Sequence, residues 1–148
     1  FDRYLAGDKN ALKADEIRGL ELFRGAAGCI RCHHGPLLSD SKFYRLGVSF
    51  RDVGLAGVTQ NPEDKGKFRT PTLRNIADTG PYMHNGSMKT LDDVVTFHYR
   101  GVPRKTPDEL PLDIVPLSGQ SFSEISDIVA FLKTLSGDPP LVEPEQLP

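Results

Sequence analysis

The stretch Gly28-Cys29-Ile30-Arg31-Cys32-His33-His34 governs how the rest of the sequence is interpreted. It contains both cysteines of the 148-residue chain, and that count excludes a disulfide framework for the whole domain. A redox-active Cys-x-x-Cys pair is expected near a βαβ pattern, which this sequence does not show. A structural zinc site needs four ligands, and the chain has no second Cys or His pair at finger spacing. Both common alternatives for two closely spaced cysteines are therefore disfavoured.

The sequence Cys-x-x-Cys-His is typical of covalent attachment of haem. Each thiol adds to one vinyl group and gives a thioether bond, and the two-residue spacing matches the separation of the vinyls around the ring edge. His33 then lies beneath the iron and supplies an imidazole nitrogen as a ligand. We therefore predict one covalent haem c, bound through Cys29, Cys32 and His33. His34 cannot share the iron with His33 and is expected next to solvent or a propionate.

Three helices are predicted from apolar spacing and end signals, at about 15–23, 90–100 and 123–135. Thr90 is a good N-cap, and Asp93 follows it at the spacing of a capping box. Ser121 or Ser123 is expected to cap the last helix. The remaining segments are expected to be loops: residues 35–75 mostly irregular, 75–87 a folded loop, 102–121 a Pro-rich loop, and 138–148 an extended tail.

Composition supports one domain with a thin core, since 38% of residues are hydrophobic and Gly and Pro number 14 and 12. The formal net charge of −2 and the pI of about 6.1 give no basic face for nucleic acid. No apolar run approaches the ~18 residues that a transmembrane helix needs. No signal peptide is visible at Phe1, which predicts a mature form or an excised piece.

The second axial ligand of the iron is open on the residues alone. His98 shares one predicted helix face with Leu91, Val94 and Val95, so its imidazole is expected in the apolar interior. A buried imidazole needs a partner, which is either the iron or a hydrogen bond in the core. The other candidates are Met83, His84, Met88 and Tyr99, and an open site is a further alternative.

Several sequence blocks resemble the C-terminal haem domain of the bacterial di-haem cytochrome c peroxidases and the related MauG proteins. The resemblance covers nearly the whole chain, with the blocks in family order and at family spacing. The blocks are Phe1-Asp2-Arg3-Tyr4-Leu5, Gly19-Leu20-Glu21-Leu22-Phe23, Cys29 to Asp40, Phe68-Arg69-Thr70-Pro71-Thr72-Leu73-Arg74-Asn75, Pro81-Tyr82-Met83-His84-Asn85-Gly86-Ser87 and Ile128-Val129-Ala130-Phe131-Leu132-Lys133-Thr134-Leu135.

The resemblance implies that this domain relays electrons to a second haem domain, which meets hydrogen peroxide. In the family the distal ligand lies fourteen residues beyond the His of the Pro-Tyr-x-His loop. Peroxidases have Met there and MauG proteins have Tyr. Counting from His84 gives His98 here, with Tyr99 one residue further, which departs from both patterns. His98 is therefore the preferred distal ligand, and bis-His ligation would lower the redox potential relative to His/Met.

Two further sites follow from the resemblance. The family binds a calcium ion between its domains, partly through carbonyls of the loop before Pro-Tyr-x-His, and the matching positions are Thr79 and Pro81. Arg69 and Arg74 flank Pro71, and a guanidinium there is a candidate partner for a haem propionate.

We thus expect an all-α, cytochrome c-like haem domain with few helices and long ordered loops. Residues 1–148 form a single domain in this interpretation, with 1–13 as an interdomain-like lead-in and 138–148 as the tail. The expected function is electron transfer, with a second haem domain or redox protein as partner and the periplasm as location. The alternatives are a self-sufficient mono-haem peroxidase and a free-standing soluble electron carrier.

Overall fold

The structure is a computed structural model, and it describes residues 1–49, 51–100 and 122–137. Most of its regular structure is helical, with one small antiparallel sheet in which Phe43 pairs with Arg69 and Tyr44 with Phe68. No helix in these residues is long and apolar enough to cross a membrane. In chain order the elements are α1 (Asp2–Leu5), α2 (Ala14–Arg24), a 3₁₀ turn (Cys29–Arg31), β1 (Phe43–Tyr44), α3 (Ala56–Thr59), a 3₁₀ turn (Pro62–Asp64), β2 (Phe68–Arg69), a 3₁₀ turn (Ile76–Asp78), α4 (Leu91–Arg100) and α5 (Phe122–Lys133).

The expectation of a mostly helical domain is confirmed, and α2, α4 and α5 correspond to the three predicted helices. The strictly all-α description is only approximate, because β1 and β2 form a sheet inside a segment expected to be irregular. Strands of two residues are too short to show the period-2 alternation by which a strand is recognised. The predicted loop at 102–121, the Ser121 cap and the tail at 138–148 lie outside the described residues.

The core is built around the crossing of α2 and α5. Gly19 lies so close to α5 that a Cβ at this position would stand 1.9 Å from the carbonyl oxygen of Asp127. One turn further along α5, the side chain of Phe131 is fully buried. Its ring meets those of Phe23 and Phe1 edge-on, with centroids 5.2 and 5.5 Å away. A glycine and an aromatic ring thus allow the two helices to approach closely while the space beside them is filled.

A bidentate ion pair joins the same two helices at the surface. Arg18 Nε and one terminal nitrogen each lie 2.8 Å from a carboxylate oxygen of Asp127. These hydrogen bonds hold the pKa of Asp127 below its usual value. Because Arg18 is largely exposed, the pair adds only a modest stabilisation to the contact between α2 and α5.

Helix α4 begins with the predicted capping box. Thr90 Oγ1 accepts from the backbone N–H of Asp93 at 3.1 Å, and Asp93 accepts from the backbone N–H of Thr90 at 3.1 Å. The buried row of the helix is shifted from the prediction, because the deepest residues are Leu91, Val95 and Tyr99. His98 is half-buried at the margin of this row rather than at its centre.

Candidate haem site

The Cys-x-x-Cys-His segment follows directly from the end of α2. Gly28 has a φ of +61°, in the left-handed region that glycine adopts without strain. From there Cys29–Arg31 form a single 3₁₀ turn. The backbone N–H of His33 donates to the carbonyl of Cys29 at 2.9 Å, which closes the turn. The turn places both cysteines and His33 in one compact loop at the edge of the helical core.

Cys29 and Cys32 are both half-buried and are not joined in a disulfide. Burial raises the pKa of Cys29 to about 11, and it raises the pKa of Cys32 as well. A redox-active dithiol needs a lowered thiol pKa so that the thiolate is available for attack. The environment of these two thiols therefore disfavours the dithiol interpretation.

The imidazole of His33 is oriented by one backbone contact. Its Nδ1 lies 3.0 Å from the carbonyl oxygen of Leu38. A carbonyl only accepts, so Nδ1 carries the hydrogen and Nε2 keeps its lone pair. Burial lowers the pKa of His33, which favours the neutral ring. This is the tautomer and charge state in which a histidine binds a metal through Nε2.

His98 has the same arrangement on α4. Its Nδ1 lies 2.8 Å from the carbonyl oxygen of Val94, one turn earlier, so Nε2 again keeps its lone pair. Burial lowers the pKa of His98. Besides burial, His98 also lowers the pKa of His33.

The other candidate ligands have different surroundings. His84 is engaged through Nε2, which lies 2.8 Å from Asp52, and its ring is stacked on Phe68 with centroids 3.6 Å apart. The hydroxyl of Tyr99 is buried and has no hydrogen-bond partner within the described ranges. Burial raises the pKa of Tyr99 to about 12, and Tyr99 stays an alternative prediction for the second ligand.

Met83 and Met88 lie in a turn closed by an isolated bridge between Tyr82 and Met88. The backbone N–H of Tyr82 donates to the carbonyl of Met88 at 2.7 Å. Met83 adopts a φ of +66°, and both methionines are half-buried. Neither thioether has a described contact with His33.

The donor set fits a haem better than a bare metal ion. In the part of the chain that the structure describes, no group of three or more His, Cys, Asp or Glu residues is positioned to hold a metal. A porphyrin brings four equatorial nitrogens and asks the protein only for axial ligands. His33 and His98 suit that requirement, because each uses Nδ1 for its hydrogen bond to a carbonyl and leaves Nε2 for the iron. Cys29 and Cys32 precede His33 in the same loop.

The remaining predicted residues are dispersed. Arg69 is exposed on β2, and Thr79 and Pro81 are exposed in the loop that follows Ile76–Asp78. Arg74 makes its contacts within the protein, with Asp2 at 2.6 Å and with the carbonyl of Pro36 at 2.9 Å. Propionate and calcium binding by these residues stay predictions.

A cavity of about 280 Å³ lies beside the motif. It reaches His33 and Leu38 but neither cysteine nor His98. Because its lining includes only one of the four residues predicted to attach and ligate a haem, His33, we do not assign the haem to it. Its walls are Phe1, Leu5, Leu20, Phe23, Arg24, Ile30, His33, His34, Gly35, Pro36, Leu38, Arg74 and Phe131.

Sequence reasoning missed the backbone groups that orient the two histidines. The carbonyls of Leu38 and Val94 carry no residue-type signal, because any residue supplies one. The i−4 spacing of Val94 and His98 is a signal in principle, since a helical histidine can reach that carbonyl. The sequence offers no comparable spacing rule for Leu38, which depends on the path of the loop after the motif.

The helical fold and the Cys-x-x-Cys-His loop are those of a cytochrome c-like domain. No family model matches the chain. Among known proteins it is 42% identical over 177 aligned residues to cytochrome-c peroxidase IdrP1 of Denitromonas iodatirespirans, covering 96% of this chain and 46% of that protein. It is 36% identical over 152 aligned residues to the methylamine utilization protein MauG of Methylorubrum extorquens, covering 100% of this chain and 42% of MauG.

Solved structures agree with these relatives. A MauG-like protein associated with microbial copper homeostasis superposes with a TM-score of 0.73 at 31% identity, over 86% of this chain and 48% of that one. The diheme peroxidase BthA of Burkholderia thailandensis gives 0.66 at 27% identity, over 84% and 43%. The homologues of this chain are thus cytochrome c peroxidases and MauG proteins, which implies a c-type haem. The chain spans less than half the length of these relatives.

Proposed function

We propose that this chain is an electron-transfer domain with one covalent haem c, attached through Cys29 and Cys32 and ligated by His33 and His98. The observation that carries the proposal is the matched state of the two imidazoles. Each donates from Nδ1 to a backbone carbonyl and keeps Nε2 for a metal. A Cys2His2 zinc site would use histidines in the same state, but within the described residues no three or more His, Cys, Asp or Glu side chains are positioned to hold an ion.

In this proposal the protein residues hold the two imidazole ligands in place and exclude water. Bound haem c supplies a one-electron iron couple. The carbonyls of Leu38 and Val94 hold the two rings in one tautomer and limit their rotation. Leu91 and Val95 are buried on α4, the helix that carries His98, and they keep water away from the buried face of that helix. Ligands held in this way change little between oxidation states, which favours rapid electron exchange.

The partner in this proposal is a second haem domain or redox protein. The support is the length of the relatives, of which this chain spans less than half, and the description of BthA as a diheme peroxidase. Peroxide reduction requires an exchangeable position on iron, which two held imidazoles do not leave. The domain alone is therefore expected to accept electrons from a small reductant and to turn over peroxide poorly. We place it in the periplasm, by analogy with its homologues.

The test begins with denaturing mass spectrometry on protein from haem-competent cells. We expect the polypeptide mass plus one haem. The His98→Ala variant is then expected to convert a low-spin ferric spectrum to a high-spin one, because it removes the second strong axial ligand. The matched variants Met88→Leu and Tyr99→Phe should keep the low-spin spectrum. A bare polypeptide mass contradicts the whole proposal, and loss of the low-spin spectrum only in Met88→Leu or Tyr99→Phe shows that the second ligand is another residue.

Turnover distinguishes a relay from an enzyme. A steady-state assay with hydrogen peroxide and a reduced donor should give little activity from this chain alone. Robust turnover that requires His33 but no partner would favour the mono-haem peroxidase.

A further inference from the structure

Three successive backbone carbonyls follow the motif, at residues 36–38, and each accepts a hydrogen bond from a different side chain. The last of the three is the carbonyl that orients His33. The other two are bound by Thr72 and Arg74, which belong to a separate segment. The bonds are Arg74 Nε to Pro36 O at 2.9 Å, Thr72 Oγ1 to Leu37 O at 2.6 Å, and His33 Nδ1 to Leu38 O at 3.0 Å.

We call residues 70–74 the strap. It continues the antiparallel pairing of β1 and β2 toward the motif, because the backbone N–H of Thr70 donates to the carbonyl of Lys42 at 2.8 Å. Ser39 Oγ then donates to the carbonyl of Thr70 at 2.7 Å. The strap therefore runs alongside residues 36–42 and touches them at nearly every second position. The path of this loop is set from outside, by side chains of the strap.

The strap ends on the N-terminal segment. A terminal nitrogen of Arg74 lies 2.6 Å from Asp2 in α1, and its guanidinium carbon lies 5.8 Å from the ring centroid of Phe1. Phe1 in turn packs on Phe131 of α5. Arg74 is thus held between α1 and the motif loop, with about 29% of its side chain exposed.

We propose that Thr72 and Arg74 are positioning residues that set the hydrogen bond between Leu38 and His33, and so tune the reduction potential of the iron. This inference rests on the proposed function. Thr72 and Arg74 bind the two carbonyls before that of Leu38, so they determine where its oxygen lies. A firm bond at Nδ1 makes the imidazole a more basic ligand, and a more basic ligand stabilises ferric iron. Loss of the hydrogen bond from Thr72 or from Arg74 weakens the bond between His33 Nδ1 and the Leu38 carbonyl, and this raises the reduction potential.

The test is the midpoint potential of the haem-loaded protein, measured by spectroelectrochemistry. Thr72→Val removes the hydroxyl at nearly constant volume and without a change in charge, and we expect a higher potential. Thr72→Ser keeps the hydroxyl and should restore the wild-type value. Thr59→Val is the matched control, because its hydroxyl donates to Asp64 in a part of the chain away from the strap.

Arg74→Lys is the second variant. It keeps the positive charge but cannot reach both Asp2 and the Pro36 carbonyl with the geometry of a guanidinium. We expect a higher potential here too, and NMR of the ferrous protein should show faster exchange of the His33 Nδ1 proton in both variants. If either variant fails to load haem, the other one decides the outcome.

Two failures are distinguishable. Wild-type protein without covalent haem, or with His33 not bound to iron, contradicts the proposed function. Covalent haem with a low-spin spectrum, and one potential shared by the wild type, Thr72→Val and Arg74→Lys, overturns the positioning role alone. A shift in Thr59→Val equal to that in Thr72→Val also overturns it, because the effect would then not depend on the strap.

Discussion

The crossing of α2 and α5 and the loop that carries His33, which follows α2 in the chain, are stabilised differently. At the crossing, Gly19 lets the helices approach and Phe131 fills the space beside them. In the loop, the ordering contacts are hydrogen bonds, each donated by one identifiable group. Those bonds involve carbonyls 36–38, and the side chains that bind them come from the strap and from the motif itself.

The two regions therefore have different roles: the crossing determines the stability of the domain, and the loop determines the state of His33. Apolar packing at the crossing contributes to the free energy of unfolding in proportion to the area it buries, with little directional demand. A single hydrogen bond in the loop contributes only about 1 kcal/mol, but it fixes a direction. Substitutions at the crossing should therefore change how stable the domain is. Substitutions in the strap should change the state of His33 at nearly constant stability.

The largest effect is expected for Phe131→Ala. This ring is 0% exposed and contacts Phe23 and Phe1, so its truncation leaves a cavity that the helices cannot close. The expected loss is about 3–5 kcal/mol in the free energy of unfolding. Chemical denaturation followed by circular dichroism measures it. Phe43→Ala is the control, since that ring is 41% exposed and should lose far less. Equal losses in the two variants would show that the crossing is not the centre of stability.

A smaller loss is expected for Gly19→Ala. The added methyl would stand 1.9 Å from the Asp127 carbonyl, and backbone cannot rotate away as a side chain can. The helices must separate, at a cost of about 1–3 kcal/mol or slightly more. Gly137→Ala is the matched control, because a Cβ there meets nothing within 4 Å. Thermal unfolding of both variants checks the prediction, and an unchanged melting temperature in Gly19→Ala would contradict the close approach.

The smallest effect is expected for Asp127→Asn, and it depends on pH. The hydrogen bonds from Arg18 hold the pKa of Asp127 below the usual value for an aspartate. The stabilisation is therefore fully present above the unfolded pKa, and it is lost as pH falls through the lower folded pKa. The wild type should be more stable than the variant at neutral pH, and the two should converge below about pH 4. Denaturation curves across this range measure the difference.

The control for that experiment is Glu21→Gln, which removes an exposed carboxylate from α2, the helix that carries Arg18. Its stability should stay parallel to that of the wild type as pH falls. A gap between the wild type and Asp127→Asn that persists undiminished to acid pH would show that the ion pair with Arg18 is not its source.

Much of this fold could be predicted because its signals are local. The capping box at Thr90 and Asp93 identified the start of α4 within one residue. The buried row on that helix was shifted, since Tyr99 rather than His98 lies deepest, and spacing alone does not say which side of a stripe meets the neighbouring helix. The sheet was missed because its strands have two residues each.

The candidate site likewise contains some residues that could be predicted from the sequence and others that could not. Cys29, Cys32 and His33 stand together in sequence, so their chemistry could be inferred without a structure. The strap could not, because Thr72 and Leu37 are 35 positions apart and their bond depends on a carbonyl that every residue has. Propionate binding by Arg74, one of the two arginines that flank Pro71, stays a prediction. The structure adds contacts of Arg74 with Asp2 and with the Pro36 carbonyl, which no pattern of residue types indicates.

The long separation between the crossing helices also sets an order of events. Arg18 and Asp127 are 109 positions apart, so α2 cannot complete its core until α5 has emerged. Closing so long a loop is slow compared with forming a helix. In a chain that emerges from its N-terminus, the thiols of Cys29 and Cys32 precede the helix that packs against α2. If the proposed thioethers form, both thiols are therefore available to haem before α5 packs against α2.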